Sequence, residues 1–178
     1  MNNLLSIVRG QIFPIGLILI LAFARLMPHP PNFTPIIAVG IMSGYLFKNI
    51  YLSFATLLIS MILADVFIGF YNNILFVYLS LILIAYIFYK INRKINFKNL
   101  LLYSFFGSLV FFAISNFGVW ASGSLGVYDV PYEKNLKGLV ECYILAIPFF
   151  KTTLLSTLFF VYSAFLTNVF YLNIKKAR

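Results

Sequence analysis

The sequence predicts an all-α integral membrane protein, a single transmembrane domain over residues 1–178 with six transmembrane helices and both termini in the cytoplasm. Three observations predict it. First, 62% of the residues are apolar and 10% charged, with a mean hydropathy of +0.99, where a soluble domain runs near about 45–50% and about 25%. A 20.3 kDa globule has too little interior to hide that excess. Second, the apolar residues come in runs suited to hydrocarbon about 30 Å thick, which takes about 20 helical residues. Third, the 13 basic residues are spread unevenly between alternate loops, as the positive-inside rule requires of cytoplasmic segments.

The first span, 11–27, follows Arg9 and is closed by Pro30 and Pro31. Arg25 and the His29-Pro30-Pro31 turn stand where a signal peptide would need small residues for cleavage, so this helix is expected to be retained. The second, 34–47, is 14 residues to Lys48 and must be short or tilted. Its Gly40-x-x-x-Gly44 pair, with Ser43 beside it, lets another helix come close, within this chain rather than between copies. The third, 50–70, ends at Tyr71-Asn72-Asn73; the fourth is 74–89 and the fifth 100–120, with a polar loop to residue 137. The last apolar stretch, 138–172, contains Pro148 and Lys151. As one helix it would be about 50 Å long, so the expectation is a short helix, 138–149, and a sixth span, 151–172.

With both ends inside, Arg9, Lys48, Lys90, Arg93, Lys94, Lys98, Lys175, Lys176 and Arg178 face the cytoplasm, nine of the 13 basic residues. Arg25, Lys134, Lys137 and Lys151 fall on the other side, diluted by Asp129, Glu133 and Glu141. The net charge of +9 therefore reads as membrane topology. The lipid bilayer is the expected partner, and nucleic acid is not.

Charged side chains inside spans are costly and mark sites by default. Arg25 and Asp65 each lie 15 residues along their helices and Asn116 lies 16 along its own, about 22 Å deep at 1.5 Å per residue. Lys151 opens the sixth span at the same outer level. Asn32, Phe33, Phe117, Trp120, Tyr128, Tyr132 and Tyr143 surround that level. Snorkelling cations, an interhelical tie and an interfacial aromatic belt would produce this pattern. So would an outward-facing pocket with a few convergent polar groups.

Catalytic constellations are missing: the sequence holds no Gly-rich phosphate loop, no H-E-x-x-H and no G-x-S-x-G. The chain is not expected to be an enzyme; Asp65 and His29 are its only reactive candidates. Cys142 is the sole thiol, which excludes an intrachain disulfide and a multi-cysteine metal site. No cofactor and no metal is expected.

Two stretches carry a resemblance. One is Arg25-Leu26-Met27-Pro28-His29-Pro30-Pro31-Asn32-Phe33-Thr34-Pro35-Ile36 with Gly40 and Gly44. The other is Ser115-Asn116-Phe117-Gly118-Val119-Trp120 with Gly138-Leu139, Cys142-Tyr143 and Ala146-Ile147-Pro148-Phe149-Phe150. Together they resemble an uncharacterised family of small bacterial membrane proteins whose fold is similar to the substrate-binding (S) components of energy-coupling-factor (ECF) vitamin transporters. The resemblance implies a six-span S-component-like bundle in the bacterial cytoplasmic (inner) membrane, with an outward-facing pocket for a vitamin or similar micronutrient. It further implies delivery by toppling onto a partner module with two ATPases. Arg25, Asn32, Asn116, Trp120 and Tyr143 are the matching positions; with Asp65 and Lys151 they form the expected substrate-binding set, the charged groups fixing polar parts of the ligand and Trp120 stacking on its ring.

The sequence departs from S components at one point. Their Ala-x-x-x-Ala docking pair in the first span is represented here by Ala22 and Ala24, two apart, which leaves dependence on an ATPase-driven energy-coupling module open. The alternative is a structural scaffold similar to the rod-shape membrane subunit. Its contacts to other membrane subunits would then run through the basic loop at 90–99.

Overall fold

The computed structural model describes residues 11–30, 32–91 and 95–177. Arg9, Arg93, Lys94 and Arg178 of the expected cytoplasmic set, and Pro31 of the proline turn, lie outside the described residues. Within them the protein is all-helical: α1, Ile12–Phe23, continues into a 3₁₀ turn at Ala24–Leu26, followed by α2, Ile36–Leu46; α3, Ile50–Ile68; α4, Ile74–Ile91; α5, Leu100–Ser122; and α6, Leu136–Ala177. Among the described residues extended pairing is limited to one isolated antiparallel bridge between Leu125 and Pro131.

Local sequence explains where helices begin and end. Asn49 caps α3, its side-chain oxygen accepting from the Tyr51 and Leu52 amides at 2.9 and 3.1 Å; an Asn at this position satisfies amides that have no partner in the first turn. Gly123 closes α5 in the left-handed conformation, which costs a residue without Cβ nothing.

Four helices, α3 to α6, are long and apolar enough to cross a membrane, while α1 and α2 are shorter apolar helices. α2 has only 11 residues, about 16 Å, but it is the centre of the bundle. Every residue from Ile37 to Gly44 is buried, and α1, α3, α4, α5 and α6 all pack on it. An all-round apolar helix is stable only when enclosed in this way.

Gly40 and Gly44 make that enclosure possible, as the sequence anticipates for contact within the chain. A Cβ on Gly40 would sit 3.2 Å from Ile84 Cγ2. One on Gly44 would run into the Ala85 carbonyl oxygen and lie 2.8 Å from the Tyr89 amide nitrogen. The backbones of α2 and α4 therefore touch, and they run parallel, since the earlier glycine meets the earlier turn.

Helix α5 runs back along α4, with Gly118 packed on the Phe76 ring, and α6 runs back along α5. Tyr143 reaches Ala113 near one end of that pair, and Tyr162 reaches Phe97 at the other. The connections at 27–35, 69–73 and 123–135 thus gather at one end of the bundle.

The structure corrects one sequence expectation. The last apolar stretch is not a short helix followed by a separate span: α6 is one helix of 42 residues with Pro148 inside it, about 63 Å long. Proline removes one backbone hydrogen bond in a helix interior, and the flanking turns packed on α5 carry the helix through.

Candidate functional site

Arg25, Asp65 and Asn116 lie toward the end where these three connections gather, in two separate places, whereas Lys151 is not at that end: its neighbour Phe150 meets Phe105 and Phe112 midway along α5.

The first is a buried ion pair. Arg25, in the 3₁₀ turn after α1, puts Nη2 2.8 Å from Oδ1 of Asp65 on α3; the side chains are 8% and 0% exposed. The approach is a charge contact rather than an aligned hydrogen bond, because Oδ1 has no hydrogen-bond partner. The other carboxylate oxygen accepts from the Tyr78 hydroxyl of α4 at 2.7 Å, and Arg25 Nη1 donates to Met61 Sδ at 3.6 Å. Tyr71, in the α3–α4 connection, also faces the pair. Its phenol is pushed up to about 12, by burial first and then by the Asp65 carboxylate, with Arg25 opposing. Three helices are tied here, and each charge meets its opposite.

The second is a cavity of about 260 Å³ between α4, α5, α6 and the proline-rich segment. Its polar lining is three amides, Asn32, Asn73 and Asn116, and two hydroxyls, Ser115 and Thr153. Its apolar lining is dominated by Phe111, Phe112, Phe149 and Phe150. Among the described residues no charged side chain lines it. Asn116 Nδ2 donates to the Phe112 carbonyl one turn back at 2.8 Å, which aims its carbonyl oxygen away from that turn.

Asn32 enters from non-helical backbone with a φ of 60°, a conformation that Asn tolerates better than most residues. The segment is anchored on α6: Ser156 Oγ donates to the Thr34 carbonyl at 3.1 Å, and the Phe33 ring packs on Phe159 and Phe160 at 6.0 and 5.9 Å. Asn32 consequently shares the cavity with Phe111, halfway along α5. Irregular backbone that deep in a helical membrane protein is stable only when protein buries it or when it lines a polar cavity.

Two helical stripes build the walls: Phe112, Ser115, Asn116 and Val119 on α5, and Ala146, Phe149, Phe150 and Thr153 on α6. Both follow the i, i+3, i+4, i+7 spacing of a single helix face. The α6 stripe spans Pro148, which itself does not line the cavity.

Of the expected substrate set, Asn32 and Asn116 line this cavity. Arg25 and Asp65 bind each other on the far side of α4, where Val77 faces the cavity and Tyr78 the ion pair. Lys151 is exposed, since at about 100° per residue it points away from the face that Ala146, Phe149, Phe150 and Thr153 share. Trp120 points into the α5–α6 loop, its indole N–H donating to the Glu133 carbonyl at 2.9 Å. Lys134 stands over its ring at 5.5 Å and donates to the carbonyls of Trp120 and Ala121. Tyr143 hydrogen-bonds the Ala113 carbonyl and sets its ring against Phe112, while Cys142 donates to the Asn116 carbonyl at 3.4 Å. These last two position the α5 stripe from behind.

Asn73, Ser115, Thr153 and the four phenylalanines are not singled out by reading the chain for charges. The paired i, i+3, i+4, i+7 stripes are the signal that finds most of them. Among the described residues no cluster of His, Cys, Asp or Glu is suited to a metal ion.

The chain belongs to a family of unknown function, DUF6580, which matches residues 7–177. No curated protein and no solved structure matches it.

Proposed function

We propose that this member of the family is a substrate-binding membrane transport protein that takes up a vitamin or a similar small organic micronutrient, in the manner of the ECF S components it resembles. In this reading it is a six-span, multi-pass protein of the bacterial cytoplasmic membrane. The basic residues set both termini inside and turn the cavity end outward. α2, too short to cross alone, is enclosed by its neighbours, and α1 packs against it. The observation that carries the reading is the cavity itself, with three amides, two hydroxyls and four phenyl rings around about 260 Å³.

The lining defines the substrate class. The cations and the intramembrane carboxylate, expected from sequence to fix polar groups of the ligand, lie outside the cavity or neutralise each other. A charged ligand would lose its hydration without a counter-charge, at a cost of several kcal/mol. The fitting ligand is uncharged where it enters, with an aromatic or other flat apolar ring between the phenylalanines and donors and acceptors for the amides. The volume lies just below the range of about 300–1,000 Å³ typical of drug-sized ligands, so a small heterocycle fits and a large multi-ring cofactor does not. An ATPase-driven module or another membrane subunit would supply the energy for release, since the chain itself has no phosphate-binding loop.

The test is native mass spectrometry of the protein purified gently from its own cells, beside Asn116→Ala. A small neutral molecule that co-purifies with the wild type and is lost from the variant is the expected result. An empty wild-type protein that carries other membrane subunits instead would replace this reading with the scaffold one.

A further inference from the structure

At the opposite end of the bundle the start of α1, the end of α2 and the end of α6 enclose a second cavity of about 290 Å³. We propose that it is a binding site for a phosphate ester, of the kind a phospholipid headgroup presents, held by Lys48 and Lys175. The proposal is independent of the transport reading.

Both lysines line the cavity, and among the described residues no carboxylate side chain pairs with either. The sequence has four acidic side chains, Asp65, Asp129, Glu133 and Glu141, and all four sit at the end of the Asn116 cavity or in the loop beside it. Two exposed lysines lining one hollow with no carboxylate side chain beside them suit an external anion, and lysine binds phosphate as a point charge.

The remaining lining is built rather than incidental. Lys48 is held through its own carbonyl, which accepts from the Tyr89 hydroxyl at 2.9 Å. Asn168 is 7% exposed and lines the hollow beside Tyr45. The Gln11 side-chain oxygen is buried with no hydrogen-bond partner among the described residues, so a ligand donor is missing there. The Phe13 ring stacks on Tyr171 at 3.8 Å, and the two form an apolar rim. The ligand that satisfies all of these carries a phosphate ester, a hydroxyl or ammonium donor beside it, and an apolar continuation. Basic pockets between membrane helices bind anionic headgroups by this chemistry.

The experiment uses the delipidated full chain in neutral detergent, with melting temperature and native mass spectrometry as readouts. The probes are phosphatidylglycerol, phosphatidylcholine and glycerol 3-phosphate. Phosphatidylglycerol is expected to raise the melting temperature and stay bound, and Lys48→Gln with Lys175→Gln to weaken it about thirtyfold, at about 1 kcal/mol per basic residue. Lys90→Gln, in the last turn of α4 and over the Tyr86 ring instead, is expected to change nothing. Equal stabilisation by glycerol 3-phosphate supports the anion site and identifies a soluble phosphate compound as its ligand. Stabilisation by neither probe overturns the proposal, as does equal stabilisation by phosphatidylcholine or an equal loss in Lys90→Gln.

Discussion

Asp65 offers the sharpest test of how the two polar sites divide their work. Its side chain is fully buried and holds Arg25 at 2.8 Å and the Tyr78 hydroxyl at 2.7 Å. In Asp65→Ala the Arg25 charge, 8% exposed, is left without a partner. Breaking a buried pair from one side costs about 3–5 kcal/mol, and in a chain of this size that lowers the melting temperature by about 10 °C. Arg25→Met should cost a similar amount by stranding the carboxylate. The combined Arg25→Met, Asp65→Leu variant removes both charges and should recover to near the wild type, because a buried ion pair barely outweighs its own desolvation. With Asp65→Leu as the matching single variant, melting temperature in one detergent across the four proteins gives a coupling energy of about 6–10 kcal/mol, the sum of the two single losses. A double variant that loses the sum of the two singles would refute the reasoning. Ligand retention adds an independent check: the double variant should keep its co-purifying molecule, and losing it at an unchanged melting temperature would place these residues at the substrate.

Gly44→Ala should destabilise by about 1–3 kcal/mol as an overpacked contact, since its new methyl meets the backbone of α4. Gly107→Ala should cost less, because the nearest atom, 2.9 Å away, is the flexible tip of Ile41; equal losses on thermal melting would sink that distinction. Tyr71 stays protonated in the folded protein up to about 12 but ionises near 10 when unfolded. Stability should therefore be complete below pH 10 and fall between about 10 and 12, and Tyr71→Phe should flatten that fall in a pH series of melts. Tyr78→Phe, which loses one hydrogen bond to a charged carboxylate, should cost about 1.5–3 kcal/mol, and no loss would mean that Arg25 alone satisfies Asp65.

Composition and spacing determine much of this protein by themselves. An excess of apolar residues has to be covered by something other than water, and continuous apolar runs of that length form helices in hydrocarbon because a helix satisfies its backbone polar groups within the segment. The placing of Gly40 and Gly44 reads as a close helix contact for the same local reason, since only a missing Cβ permits it. The level of Arg25, Asp65 and Asn116 is also legible, because depth along a helix is a count of residues.

Rotation around the helix axis and the choice of neighbour are not local, and there the tertiary structure decides. Asp65 and Asn116 stand at one height, yet α4 separates them: Tyr78 faces one and Val77 the other. Counting along the chain also divides α6 at Pro148, whereas the structure keeps it as one helix packed along α5. Whether a buried charge serves a ligand or another charge depends on which side chain stands 3 Å away, and that partner is 40 residues distant along the chain.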